Sequence, residues 1–340
     1  MIMVVNRKYG LDVLKIICTV LIILHHFQQA FSDVSGFFCG GKFYFGYICE
    51  LFFMISGYLS IRHIEDTKFS ILRLMITAIK APVLMSMGLY LYYFLFEEQI
   101  VRYMWNPGFI GIDAIIRSIL GIDVLFDNIV DPSWYISDLV ICYIILIILA
   151  KCCKRFSIGI NRILPFVILL FIVGYYNNTD YGLYNNMISK VVMRGGESFF
   201  IGLLLAVNEE KISRFFWGGA RKACAFIAII GSILYLSGEI LNYQIMVLIY
   251  YPAIVITMSS QRVDRMFKID VLENVSKTLI DTFLLNWPLL ICFIIVERFF
   301  TTNYAILNNW YYALLFIVFN FIVGYVYNNI KSKIYGKLSI

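Results

Sequence analysis

The chain has 340 residues, of which 61% are hydrophobic and 15% charged, and its mean hydropathy is +0.81. This balance excludes an ordinary soluble globular protein and indicates a protein that crosses a membrane several times. The net charge of +6 does not indicate a nucleic-acid partner, because Lys and Arg occur in short clusters between apolar segments.

Apolar segments long enough to cross about 30 Å of hydrocarbon recur along the chain. In chain order they are residues 13–31, 43–61, 74–96, 134–150, 163–177, 195–208, 223–238, 243–259, 276–297 and 305–328. Lys and Arg cluster before the first segment and after every second one, whereas the alternate loops are poor in them. The positive-inside rule then places both termini in the cytoplasm. We predict an all-α bundle of about ten transmembrane helices, formed by one domain over residues 1–340, with neither a cleaved leader nor an appended soluble domain.

The eight cysteines lie mostly within or beside apolar runs and show no metal-type spacing. We therefore expect them to act as small apolar side chains, and we expect neither a disulfide framework nor a metal site.

The first apolar segment carries a stripe of polar side chains. Lys15 and His26 lie within about 20° of each other around a helix and about 16 Å apart along its axis. Asp12 and Thr19 share this face, whereas His25 points about 100° away. Ionisable groups in a span cost about 2–3 kcal/mol each and usually face the bundle interior or a water-filled cavity. The alternative for Asp12 and Lys15 is a structural polar seam or snorkelling to the interface.

The second segment runs inward and brings Glu50 to a depth similar to that of His26. A carboxylate beside an imidazole holds its tautomer and stabilises the imidazolium, as a general base requires. The alternative is a neutral Glu50 that is hydrogen-bonded to a neighbouring helix. Gly57, on nearly the same face, predicts close packing against another helix.

These residues resemble the acyltransferase-3 family of integral membrane acyltransferases. The first segment of that family has an aspartate, a basic residue and a distant histidine, which match Asp12, Lys15 and His26. The second has an acidic residue before Phe-Phe-x-x-Ser-Gly-Phe, which matches "ELFFMISGY" at 50–58. Weaker similarities occur in "DPSWYISDLVICY" (131–143), "GGESFFIGLLLA" (195–206) and "SKTLIDTFLLNWPL" (276–289).

Three departures from the family pattern concern the site. Lys15 replaces the usual arginine, and a lysine lacks the planar fork for phosphate oxygens. The paired arginines that usually follow the second span are reduced to Arg73, with Lys80 nearby. Asn286 stands where a histidine is frequent, so the resemblance assigns no proton transfer to it.

The resemblance implies transfer of an acyl group, most often acetyl, from acyl-CoA to a hydroxyl of an extracytoplasmic carbohydrate. The CoA phosphates are expected to meet the inner cations Lys15, Arg73 and Lys80. His26 is then a general base oriented by Glu50, or it carries the acyl group transiently.

Trp134 and Asp138 share a helix face at the start of the fourth segment. An aromatic ring and a carboxylate suit a sugar acceptor, so we predict that they line the acceptor's approach. The alternative is an interfacial aromatic anchor followed by a carboxylate at a helix start.

Two other classes of function remain open. An intramembrane polar stripe also suits a transporter or flippase for a lipid-linked glycan. A non-catalytic membrane assembly partner is the second, because of the departures at Lys15 and Asn286. The Ile-, Asn-, Lys- and Tyr-rich composition is typical of AT-rich bacteria, so we expect a multi-pass plasma-membrane protein that modifies a surface polysaccharide, and a homo-oligomer remains open.

Overall fold

The computed structural model describes residues 7–30, 47–64, 80–96, 133–177, 190–215, 219–236, 242–300 and 310–337. Within these ranges the chain is helical apart from short turns, and no strand occurs in them. The first six helices are α1 (Tyr9–Ala30), α2 (Ile48–Ile64), α3 (Lys80–Phe96), α4 (Ser133–Arg155), α5 (Ile160–Asn177) and α6 (Lys190–Val207). They are followed by α7 (Glu209–Phe215), α8 (Gly219–Leu236), α9 (Tyr243–Met258), α10 (Gln261–Met266), α11 (Asp270–Phe300) and α12 (Trp310–Lys337).

Each predicted apolar segment overlaps one of these helices, which confirms a helical membrane protein. In the described part of the chain, four stretches are long and apolar enough to cross a membrane: Tyr9–Phe27, Tyr135–Arg155, Asp270–Phe299 and Tyr311–Lys333. The count of ten spans, the cytoplasmic termini and the single domain remain predictions.

The outer surface of the bundle carries many large apolar side chains. Phe94, Phe166, Leu170 and Phe226 are each at least 65% exposed. Apolar surface of this extent is unfavourable in water and is suited to lipid. The polar side chains described below lie instead between helices, so the bundle is apolar outside and locally polar inside.

The ends of several helices meet around the start of α1. The Lys8 ammonium contacts Glu209 at 2.6 Å and donates to the Ser259 carbonyl at 3.0 Å. The Gly10 amide donates to Asp264 at 3.0 Å. All of these residues lie in segments that the loop charges assign to the cytoplasmic side, so the packing agrees with that assignment.

Helices α2 and α6 pack backbone against backbone. A Cβ on Gly57 would overlap the carbonyl oxygen of Phe199, and a Cβ on Gly202 would overlap the carbonyl oxygen of Met54. Small residues permit this approach between membrane helices. The predicted packing role of Gly57 is confirmed, and the approach sets the spacing of the two helices that carry Glu50 and Arg194.

We expect Gly57→Ala to destabilise the protein by about 1–3 kcal/mol, because a rigid backbone carbonyl must move to accommodate the methyl group. Gly88→Ala is the matched control, since the nearest contact of a Cβ there is the Ile291 side chain at 3.1 Å. Thermal unfolding of the purified proteins in detergent measures the difference. Equal melting temperatures for the two variants would contradict this packing argument.

Candidate active site

The polar stripe of α1 faces the interior of the bundle. Asp12, Thr19 and His26 are all buried, and the Lys15 side chain is 21% exposed. Helix α1 packs against α11 and α2. The Thr19 hydroxyl donates to the Lys15 carbonyl at 2.9 Å, so its hydrogen-bond acceptor lies within the same helix. The stripe is therefore enclosed by protein, as the helical spacing predicted.

The His26 imidazole is held by two consecutive residues of α11. The Asn286 Nδ2 atom lies 2.5 Å from His26 Nδ1. The indole of Trp287 packs against the imidazole, with ring centroids 4.9 Å apart and planes tilted by 37°. Asn286 and Trp287 are themselves buried, so the ring is fixed at one edge and one face.

The inner end of the stripe is an ion-pair network. Asp12 accepts from Arg7 Nε at 2.7 Å and contacts the Lys15 ammonium at 2.6 Å. Arg7 also reaches α11, where it contacts Glu273 at 3.0 Å and donates to the Ser276 hydroxyl at 2.6 Å. Two cations thus share the Asp12 carboxylate at the predicted donor end.

Glu50 pairs with Arg194 of α6 and makes no hydrogen bond to His26. Its Oε1 accepts from Arg194 Nε at 2.5 Å and also contacts the second guanidinium nitrogen. A guanidinium offers a full charge and a fork of donors, so it is a stronger partner for a buried carboxylate than a neutral imidazole. Glu50 is 2% exposed. It contacts α6, and Asn286 contacts the edge of the His26 ring.

Arg194 lies at the centre of a polar and aromatic group that we call the outer cluster: Tyr47, Glu50, Asp138, Arg194, Glu197 and Tyr243. The guanidinium lies over the rings of Tyr47 and Tyr243, at 5.3 and 5.7 Å from their centroids. The Tyr243 hydroxyl donates to Glu197 at 3.3 Å. These contacts link α2, α6 and α9.

Asp138 belongs to the same cluster from the side of α4. It packs against Gly195, where a Cβ would overlap its Oδ2 atom. Asp138 Oδ2, Glu50 Oε2 and Glu197 Oε1 are buried and accept no hydrogen bond within the described part of the chain. Such acceptors are costly to bury and suit partners that bring hydroxyl or amine hydrogens.

The sequence matches a family model described as "Acyltransferase domain" over residues 8–328. The chain belongs to the acyltransferase-3 family. It is therefore a membrane acyltransferase, and the resemblance carried by the motifs of the first two segments is confirmed. No curated protein and no solved structure is significantly similar to this member of the family.

Part of the predicted acyltransferase site falls outside what the structure describes. Arg73 lies in the undescribed range 65–79. Lys80 begins α3 and Trp134 lies in the first turn of α4, and the side chains of both also fall outside the described part. Their roles in donor and acceptor binding remain predictions. In the described ranges, no group of three or more His, Cys, Asp or Glu residues could hold a metal ion.

Arg194 and Asn286, the hydrogen-bond partners of Glu50 and His26, were not assigned from the sequence. Arg194 is a cation at one end of an apolar helix, and the loop charges place that end outside. A cation in such a helix usually has a carboxylate partner. Asn286 departs from the family's frequent histidine, and for that reason no role was given to it. It nevertheless contacts the ring of His26.

Proposed function

We propose that this acyltransferase moves an acyl group, with acetyl as the leading candidate, from cytoplasmic acyl-CoA to a hydroxyl of an extracytoplasmic glycan such as a bacterial surface polysaccharide. His26 acts on the reacting atoms as general base or as transient acyl carrier. The observation that carries this proposal is a buried imidazole, fixed on both edge and face, within a bundle that matches an acyltransferase family over residues 8–328.

Both routes exchange one thioester for one ester. In the general-base route, His26 takes the proton of the acceptor hydroxyl while the hydroxyl oxygen attacks the thioester carbonyl. The departing CoA thiolate then receives that proton from His26. In the covalent route, His26 Nε2 attacks the thioester and the CoA thiolate departs; the hydroxyl oxygen then attacks the acyl-imidazolium, the bond between nitrogen and the acyl group breaks to restore neutral His26, and the hydroxyl proton goes to the CoA thiolate. Each needs a ring nitrogen with a free lone pair.

The polarity of the bundle supports opposite approaches of the two substrates. Lys15 lies at the inner end of the stripe, where the phosphates of a cytoplasmic donor arrive. The outer cluster lies at the ends of α2, α4, α6 and α9 that the loop charges place outside. Its carboxylates and tyrosine rings are groups that hydrogen-bond and stack on sugars, so we assign the acceptor to that side, with Asp138 and Glu50 among its contacts.

The direct test is the ester content of surface glycans in cells with and without the gene, measured by mass spectrometry. Loss of an ester in the absence of the protein, with normal glycan export, supports an acyltransferase that acts outside. Loss of export itself would instead identify a transporter or flippase. An unchanged set of esters would reject the acceptor class and leave the assembly-partner alternative.

We expect Lys15→Ala to raise the KM for acyl-CoA by about 10- to 100-fold, because a charge-assisted hydrogen bond to phosphate contributes about 1.5–3 kcal/mol. Asp12 keeps Arg7 as its partner, so the variant leaves no unpaired carboxylate. Initial rates in proteoliposomes with acyl-CoA on the side of Lys15 measure the effect. Lys277→Ala is the control, since this lysine is 55% exposed and pairs with Glu273. An equal KM in both variants would remove Lys15 from the donor site.

A further inference from the structure

The contact between Asn286 and His26 determines which nitrogen of the imidazole is available for chemistry. Nδ1 is covered by the amide at 2.5 Å, and both residues are buried. Nε2 is therefore the ring nitrogen left to meet a hydroxyl or a thioester. Its usefulness depends on which nitrogen carries the proton of the neutral ring.

The two orientations of the Asn286 amide fix opposite tautomers. With Nδ2 towards the ring, the amide donates to Nδ1, and the proton of the ring must lie on Nε2. With Oδ1 towards the ring, Nδ1 must carry the proton and donate it to the amide, which leaves the Nε2 lone pair free. The two orientations have almost the same shape, and hydrogen bonding alone distinguishes them.

We propose that Asn286 is the positioning residue of the active site and that it holds the reactive tautomer of His26 by accepting a hydrogen bond from Nδ1–H through Oδ1. This inference rests on the proposed function, because both acyl-transfer routes require an unprotonated Nε2. In the orientation with Nδ2 towards the ring, Oδ1 has no hydrogen-bond partner among the described residues. The exchange gives Oδ1 a donor but moves the Nδ2 hydrogens to the place that Oδ1 leaves, so the requirement for an unprotonated Nε2, and not the number of hydrogen bonds, favours it.

The position in the fold supports a role beyond packing. Asn286 and Trp287 are consecutive on α11, so one turn of helix supplies both the edge contact and the face contact. Glu50 pairs with Arg194 and makes no hydrogen bond to His26. In the described part of the chain, Asn286 is thus the side chain that contacts Nδ1. The role of orienting His26, which was predicted for the Glu50 carboxylate, is assigned to the Asn286 amide.

The test compares an acceptor-only side chain with one that has no polar atoms. Asn286→Asp retains a group that only accepts when ionised, so we expect its kcat to stay within about tenfold of the original protein. Asn286→Leu keeps the approximate volume but removes the acceptor, and we expect kcat to fall about 100-fold or more with little change in KM. Full activity of the leucine variant would overturn the inference.

Asn320→Leu is the matched control for burying a leucine in place of an asparagine. Asn320 is also fully buried, donates to the Phe316 carbonyl of its own helix at 2.7 Å, and has an Oδ1 without a partner in the described ranges. We expect its kcat to stay near that of the original protein. If Asn320→Leu and Asn286→Leu lose the same activity, packing rather than tautomer control explains both.

The tautomer itself is measurable, because the chain has only three histidines. Solid-state NMR of ¹⁵N-histidine-labelled protein in membranes resolves protonated from unprotonated ring nitrogens, and His26→Ala assigns the relevant pair. We expect a protonated Nδ1 and an unprotonated Nε2 in the original protein and in Asn286→Asp, and a different pattern in Asn286→Leu. A proton on Nε2 in the active original protein overturns the inference, whereas an active His26→Ala protein would overturn the proposed function instead.

Discussion

Replacing His26 with alanine is expected to lower the rate of acyl transfer by about 100-fold to 10,000-fold, because a positioned general base contributes a factor of this size. The decrease is expected in kcat if the imidazole acts on the reacting atoms rather than on substrate binding. Transfer from labelled acyl-CoA to a glycan acceptor in proteoliposomes gives the rate. The ester content of surface glycans in cells gives an independent measurement.

His25→Ala is the matched control for this experiment. It removes the same chemical group from the adjacent position, and the His25 ring centroid lies 5.9 Å from that of His26. We expect its rate to stay within a few fold of the original, because the helical spacing directs His25 to a different face. A normal rate for His26→Ala in a correctly inserted protein would reject the catalytic role of this histidine.

The second large effect concerns the Glu50–Arg194 pair. Arg194→Met leaves a carboxylate that is 2% exposed without its cation. Breaking a buried ion pair in this way costs about 3–5 kcal/mol. We therefore expect a marked fall in the melting temperature of the purified protein and in the amount of folded protein recovered from membranes.

The double variant Glu50→Gln/Arg194→Met separates charge from packing. Removing both charges avoids the buried, unpaired carboxylate, so we expect it to be more stable than Arg194→Met alone. Lys277→Ala breaks an exposed pair and is expected to cost about 0–1 kcal/mol. If the double variant is no more stable than the single one, the charge of Glu50 is not the cause of the loss.

The sequence was sufficient to predict the helices and the side of α1 that is buried. The apolar segments are long, and helical periodicity places Asp12, Thr19 and His26 on one face. Burial of these residues follows from the cost of exposing polar groups to lipid. The close approach of α2 to another helix was also predictable from Gly57, because a glycine leaves room for the backbone of a neighbouring helix.

The partners of the buried polar groups were not predictable in the same way. His26 and Asn286 are 260 positions apart, and Glu50 and Arg194 are 144 apart. Which helices meet depends on packing across the whole bundle, and one sequence contains no direct record of it. Glu50 and His26 were expected to pair because they have similar depth, but similar depth does not decide which neighbouring helix a side chain faces.

The two separate connections between α1 and α11 bear on how substrates reach the imidazole. Arg7 joins the helices near Ser276, and His26 joins them at Asn286, about 15 Å further along α11. Because these contacts hold the two helices together at two levels, we expect α1 and α11 to resist sliding apart. If His26 is the reacting group, as we propose, the helices that move to admit substrates are then expected on the other sides of α1 and α11.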